Sequence, residues 1–270
     1  MFYFQNLFVH GLLVNIIDLP YDNGANMRGS RNAYNILRKD LDMNKKIKIN
    51  KVYNMDANKK HLYFELKNAS LKCQESLENG CLPFLIGGDH TCAISSIFAS
   101  NDYSLLNKEK LGIVWLDAHA DFNTMESSPS KNLHGMPISI LCGHTLTILK
   151  MGNFLDPSQF LYYGVRDIDS IELDRFQEYN MNILDVPEDL YSWCSYYDKI
   201  HISFDLDSLD PSLFNSVNTP VENGLTMKNI EFLFNYIKKT GKLQSLDLVE
   251  YNPEKGVNNN IIMDLIENLF

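Results

Sequence analysis

The chain has 270 residues, 45% of them hydrophobic and 21% charged, with a formal net charge of −10. That is long enough for one large α/β domain or two small ones with a sizeable core, and the acidic balance argues against a nucleic-acid partner because phosphate would be repelled. No apolar run reaches the ~18 residues of a membrane span, the apolar start over 1–17 lacks the basic flank and cleavage site of a secretory signal, and the five cysteines form no C-x-x-C pair, which fits reduced thiols in a cytoplasmic protein.

In chain order, Leu12–Ile17 reads as the first buried strand. The loop after it holds Gly24, Arg28 and Gly29 but no Lys-Ser or Lys-Thr, so it is not a phosphate-binding loop. Between Asp56 and Asn79, Leu62, Leu66, Ala69, Cys73 and Leu77 recur at spacings of four and three, the apolar stripe of a helix. Further strands are expected at Leu82–Ile86, Leu111–Leu116, Phe160–Tyr163, Met181–Leu184, Ile200–Phe204 and Leu246–Val249. They are short and almost continuously apolar, as parallel strands covered on both faces are. A helix begins at Cys92, whose thiol is read as a small core residue rather than a soft ligand. Thr226 caps a helix carrying Ile230, Leu233, Phe234 and Ile237, and a last helix near Asn259–Leu269 carries Ile262, Leu265, Ile266 and Leu269. Alternating elements with no linker predict a single doubly wound α/β domain over 1–270. In such sheets ligands bind at the carboxyl ends of the strands.

Three polar blocks sit at such ends: Gly87-Gly88-Asp89-His90, Asp117-Ala118-His119-Ala120-Asp121 and Asp205-Leu206-Asp207. Ligands at i, i+2 and i+4 share a direction while strand geometry persists, and the Gly-Gly pair is expected to let backbone approach an ion. One D-x-D or D-x-H by itself is equally a solvated turn or helix cap; three in the same context point to metal. Carboxylate oxygen with some imidazole and no thiolate suits Mn²⁺ or Mg²⁺ better than structural zinc. Six ligands including four carboxylates are too many for one ion and fit two, the arrangement that activates water for hydrolysis.

The motifs G-G-D-H, D-A-H-A-D and S-F-D-L-D-S-L-D-P resemble the metal signatures of the ureohydrolases, arginase and agmatinase among them, from about Asn15 to about Pro253. The resemblance implies a three-layer α/β/α sandwich with a central parallel sheet and two Mn²⁺ per subunit. Asp117 and Asp205 resemble the bridging carboxylates, His90 and Asp121 the ligands of one ion, and His119 and Asp207 those of the other. The stretch Asp121-Phe122-Asn123 through Asn132-Leu133-His134-Gly135 is similar to the arginase segment that holds the substrate α-carboxylate, with Asn123, Ser128 and Ser130 as contacts. Asp167 resembles the contact to the α-amino group, with Glu172 acting indirectly and Asp169 supporting from behind. Glu250 resembles the carboxylate that pairs with the guanidinium, His134 the proton shuttle, and Thr219 a wall residue.

On this resemblance the expected activity is hydrolysis of L-arginine to L-ornithine and urea by a metal-bridging hydroxide that Asp121 orients, in a homotrimer or homohexamer with no nucleic-acid or membrane partner. The rivals are a ureohydrolase acting on agmatine, another guanidino acid or formiminoglutamate, a zinc amidohydrolase of related fold, and a catalytically silent metal-binding scaffold. Two departures lie beside substrate contacts: Lys131 stands where many arginases carry Gly, and Val217-Asn218 precede Thr219 where Thr-Gly is common. His10, His61, His144 and His201 belong to no motif. His201 is read as a strand residue, the other three as surface or packing positions, and Arg166 as structural.

Overall fold

The computed structural model describes residues 12–56 and 61–270, so His10 lies outside the described residues. Eight strands form one parallel sheet in the order β2-β1-β3-β8-β7-β4-β5-β6. They are β1 (Leu13–Leu19), β2 (Lys48–Asn54), β3 (Leu82–Gly87), β4 (Leu111–Leu116), β5 (Phe160–Tyr163), β6 (Asn182–Ile183), β7 (Lys199–Asp205) and β8 (Leu243–Val249). The helices between them are α1 (Ala33–Met43), α2 (Leu62–Glu78), α3 (Ala93–Leu106), α4 (Pro137–Leu141), α5 (Ser170–Glu178), α6 (Pro187–Ser195), α7 (Met227–Thr240) and α8 (Asn259–Glu267).

Two apolar clusters lie on opposite faces of the sheet. Leu37 of α1, Leu190 of α6, Phe234 of α7 and Ile266 of α8 join Val14, Phe84, Val114, Ile202 and Leu246. Leu66 of α2, Ile97 and Phe98 of α3, Ile138 of α4 and Phe176 of α5 join Ile17, Leu85, Ile113 and Trp115 on the other side. Neighbouring strand residues thus serve opposite layers, as the pleat requires, and the result is the expected α/β/α sandwich. Among the described residues no helix is long and apolar enough to cross a membrane.

The seven expected strands all occur: Leu111–Leu116 and Phe160–Tyr163 keep their expected ends, the others shift by up to three residues at an end, and Met181–Leu184 shortens to the two residues of β6. The strand that the apolar pattern does not mark is β2, with the sequence Lys-Ile-Asn-Lys-Val-Tyr-Asn. It is an edge strand with charged residues facing solvent, so it lacks the apolar run of the others, and the lysines discourage pairing with a further strand. Thr226 caps α7 as expected, accepting from the amide of Asn229. Cys92 is buried, with its thiol against the Leu19 and Tyr21 carbonyls.

The central strands depart from the continuous apolar pattern in one respect. On the face of β7 and β8 that lies under α3, the side chains are His201 and Ser203 beside Ser245 and Asp247, all buried. Ser96, Ser100 and Ser104 of α3, spaced by four, meet them from above: Ser96 Oγ donates to Asp247 Oδ2 at 2.7 Å, Ser100 Oγ lies 2.6 Å from Ser245 Oγ, and Ser104 Oγ donates to Gln244 Oε1 at 3.1 Å. A buried polar stripe is tolerable only when its members are paired, and here they pair with one another.

Candidate metal centre and adjoining pocket

The sheet order places the polar blocks together. β3, β8, β7 and β4 are consecutive neighbours, and their carboxyl ends lead to His90, Glu250, Asp205–Asp207 and Asp117–Asp121. Leu116 pairs with Phe204, so Asp117 and Asp205 leave adjacent strands side by side.

At the centre stands His90. Its Nδ1 is 2.9 Å from Asp117 Oδ2, 3.1 Å from Asp205 Oδ2 and 3.3 Å from Asp121 Oδ2, yet it makes no hydrogen bond. A few ångströms away, His119 Nδ1 is 3.3 Å from Asp117 Oδ1 and 3.2 Å from Asp207 Oδ2. The result is two ligand sets that share Asp117, namely His90-Asp117-Asp205 and Asp117-His119-Asp207, with donor atoms inside 4.8 Å of one another. The orphaned Nδ1 facing three carboxylate oxygens, with no thiolate nearby, fits divalent cations of the Mn²⁺ or Mg²⁺ type.

The turn-cap and ligand readings of these aspartates hold together. Asp117 Oδ1 accepts from the His119 amide at 2.7 Å and Asp205 Oδ1 from the Asp207 amide at 2.8 Å, while each Oδ2 faces His90. One oxygen shapes the loop and the other is presented to an ion. Strand alternation, by contrast, does not persist through either block. Asp207 is delivered by a single 3-10 turn over Leu206–Ser208, and Asp121 by a left-handed backbone at φ +50°. Glu250 is also left-handed, at φ +62°. Such conformations cost about 1–3 kcal/mol each and concentrate at functional sites.

The role expected of the glycine pair is corrected. A Cβ on Gly88 would overlap the Tyr21 carbonyl and one on Gly87 would press on Cys92. The glycines let two loops of the chain approach each other, and the approach is used: the Asp89 amide donates to Tyr21 O at 2.9 Å and the Glu250 amide to Gly88 O at 2.7 Å. Asp89 then grips the first loop, accepting from the Gly24 amide at 2.6 Å.

Four carboxylates share this buried space with two imidazoles. Burial, with Asp207 and Asp117 nearby, pushes Asp205 well above the usual carboxylate range. Burial and Asp117 lift Asp121 to about 6. Burial works against the charged rings of His90 and His119, but the surrounding carboxylates outweigh it and raise both. Protons held by this cluster are what bound cations would displace.

A cavity of about 270 Å³ opens above the ligands. Asp121, Asn123, Ser128, Ser130, His134, Asp167, Glu172 and Thr219 all line it, with His119, Asp205 and Asp207 at its floor. Asn123 is already held at both ends of its amide, donating to Asp169 Oδ2 at 2.8 Å and accepting from Ser127 Oγ at 2.6 Å. Asp169 and Glu172 form the capping box that starts α5, and Glu172 Oε1 also accepts from the Phe122 amide at 2.9 Å. Thr219 is more than wall, because its hydroxyl donates to Asp207 Oδ2 at 2.8 Å. Glu250 lies behind the wall. Its Oε1 accepts from the His90 amide at 3.0 Å and sits 3.1 Å from His134 Nδ1, leaving Oε2 buried without a partner.

The Arginase family model matches residues 13–269 of the chain. The chain belongs to the arginase family. It is 33% identical to the arginase of Entamoeba histolytica over 68% of this chain and 67% of that protein, and 35% identical to the arginase of Coccidioides posadasii, of whose length the match spans 63%. Among solved structures, the Bacillus subtilis arginase superposes with a TM-score of 0.86 at 26% identity, covering 95% of this chain and 97% of that one. The E. histolytica arginase in complex with L-ornithine gives 0.84 at 26% identity, covering 96% and 99%.

Within this arginase-family site several residues carry no motif signal and emerge only from the fold. Trp115 stacks on His90 with ring centroids 4.0 Å apart, and its Nε1 donates to Asp117 Oδ2 at 3.1 Å. Arg166 is structural, as expected: its guanidinium donates to the carbonyls of Gly164, Ser208, Asp207 and Val221, clamping the loop after β5 to the loop after β7. At the Lys131 departure the backbone keeps φ +59°, the left-handed region that favours glycine. The lysine Nζ folds back onto the Met125 and Glu126 carbonyls. His61 is an exposed residue at the start of α2, a surface position, and His144 packs against Phe122 and Tyr179.

Proposed function

We propose that the chain is a binuclear manganese arginase that hydrolyses L-arginine to L-ornithine and urea. The observation that carries this reading is the pair of ligand sets sharing Asp117 at the floor of a cavity walled by Asn123, Ser128 and Ser130. His90, Asp117, His119, Asp121, Asp205 and Asp207 would hold two Mn²⁺. When bound, such ions supply a nucleophile from water at neutral pH and Lewis-acid stabilisation of developing charge.

The protein's own groups do the rest. Glu250, behind His134, carries the unpartnered oxygen that would meet the guanidinium once the His134 ring swings aside, since a carboxylate complements that fork of donors. Asp121, at the floor of the cavity, accepts the proton of the attacking water and orients it. His134 stands in the wall with its ring raised to about 9: burial opposes the charge, but the hydrogen bond to Glu250 outweighs it. A charged imidazole there can give its proton to the departing δ-nitrogen. Asn123, Ser128 and Ser130 receive the α-carboxylate, and Asp167, with Glu172 behind it, the α-amino group. Holding both ends of the amino acid is what would separate arginine from agmatine, which lacks the carboxylate.

The test is urea release by Mn²⁺-loaded protein given L-arginine and agmatine side by side. Release from arginine alone is expected. Equal release from both would remove the carboxylate contacts from the account, and release from neither at full metal occupancy would remove the arginase reading.

A further inference from the structure

The buried polar stripe under α3 ends at a metal ligand. His90 Nε2 lies 3.0 Å from Ser203 Oγ, and Ser203 Oγ donates to Asp247 Oδ1 at 2.7 Å. The other oxygen of Asp247 is claimed by two donors, Ser96 Oγ at 2.7 Å and His201 Nε2 at 2.8 Å. All of these side chains are buried, so no water competes for their protons.

The direction of the hydrogen bonds follows from donor and acceptor counts. An ionised carboxylate only accepts, so the Ser203 proton must point at Asp247. The Ser203 oxygen then presents a lone pair to His90, and Nε2 of His90 must carry a proton. In the neutral ring that an ion binds, that leaves Nδ1, the atom facing Asp117, Asp205 and Asp121, as the nitrogen with the free lone pair. A metal-ligating histidine is commonly fixed in this way by a carboxylate on its far side.

We propose that Asp247, held by His201 and Ser96, is a positioning residue that acts through Ser203 to fix the His90 tautomer for metal binding. The inference rests on the metal reading above, and it explains why β7 and β8 spend core positions on a histidine, an aspartate and serines.

Asp247→Asn is the sharp test because it preserves shape and reverses polarity. The amide oxygen of the substituted side chain would stay with the two donors, Ser96 and His201, so its NH₂ would face Ser203. Ser203 would then donate to His90 Nε2, and the proton of the ring would move to Nδ1, where it blocks the ion. Mn²⁺ binding by calorimetry and by electron paramagnetic resonance is expected to show one ion weakened about ten- to hundredfold. The other ion, on Asp117, His119 and Asp207, should stay near the wild-type affinity. Ser203→Ala, which keeps the Asp247 charge but cuts the link, should weaken the same ion, and it carries the test alone if Asp247→Asn does not fold. Unchanged affinity for both ions in either folded variant, or equal weakening of both, would overturn the positioning role. A wild-type protein that binds fewer than two Mn²⁺ would instead fail the underlying metal reading, and the relay with it.

Discussion

Replacing Glu250 by Gln tests the link between the buried carboxylate and the pocket histidine. Glu250 is 1% exposed and sits 3.1 Å from His134 Nδ1. Burial by itself would lower the His134 pKa; the hydrogen bond and charge of Glu250, with smaller help from Asp121 and Asp89, carry it from 6.5 to about 9. That rise corresponds to ~3 kcal/mol of preference for the charged ring. A glutamine keeps the size and an acceptor but removes the charge. The His134 midpoint, followed by proton NMR on metal-free protein, should fall from about 9 to near or below 6.5. Loss of a hydrogen bond to a charged group costs ~1.5–3 kcal/mol, so kcat/KM for arginine in the Mn²⁺-loaded enzyme should drop about ten- to hundredfold. A His134 midpoint unmoved by the substitution would refute Glu250 as its partner. An unchanged kcat/KM would refute its place opposite the guanidinium.

Other expectations concern the loops and the fold. Asp121→Asn should weaken Mn²⁺ binding and remove most turnover, and near-normal activity at full metal would exclude its assigned role. Asn123→Ala with Ser130→Ala should raise KM for arginine well above any effect on agmatine, read from parallel saturation curves. Gly88→Ala should destabilise the protein by several kcal/mol in urea unfolding, because the added methyl meets the Tyr21 carbonyl rather than a movable side chain. Asp18, at the end of β1, is raised by burial from 3.8 to about 7. Its favourable contribution is complete below pH 3.8 and lost as pH rises through about 7, so Asp18→Asn should be neutral in acid and stabilising at alkaline pH. The upper bound is ~4 kcal/mol, and urea unfolding on either side of that window would show it; a gain independent of pH would count against the buried-charge explanation.

The amino-acid sequence determined the alternation of strands and helices and the identity of the ligand blocks. The reason is local: a parallel strand buried on both faces must be apolar along its length, and a ligand at its carboxyl end stands out against that run. The edge strand β2 escaped because half of it faces water and follows no such rule. What only the tertiary structure decided is which blocks meet. Asp117 and Asp205 are neighbours because β4 and β7 are paired, although they lie far apart in the chain. Strand pairing at that range depends on how the whole sheet is wound, which no local pattern encodes. The same holds for Trp115 on His90, for Glu250 behind His134, and for the stripe from His201 to Ser203, whose residues look like ordinary interruptions of a strand until the sheet sets them in line with a metal ligand.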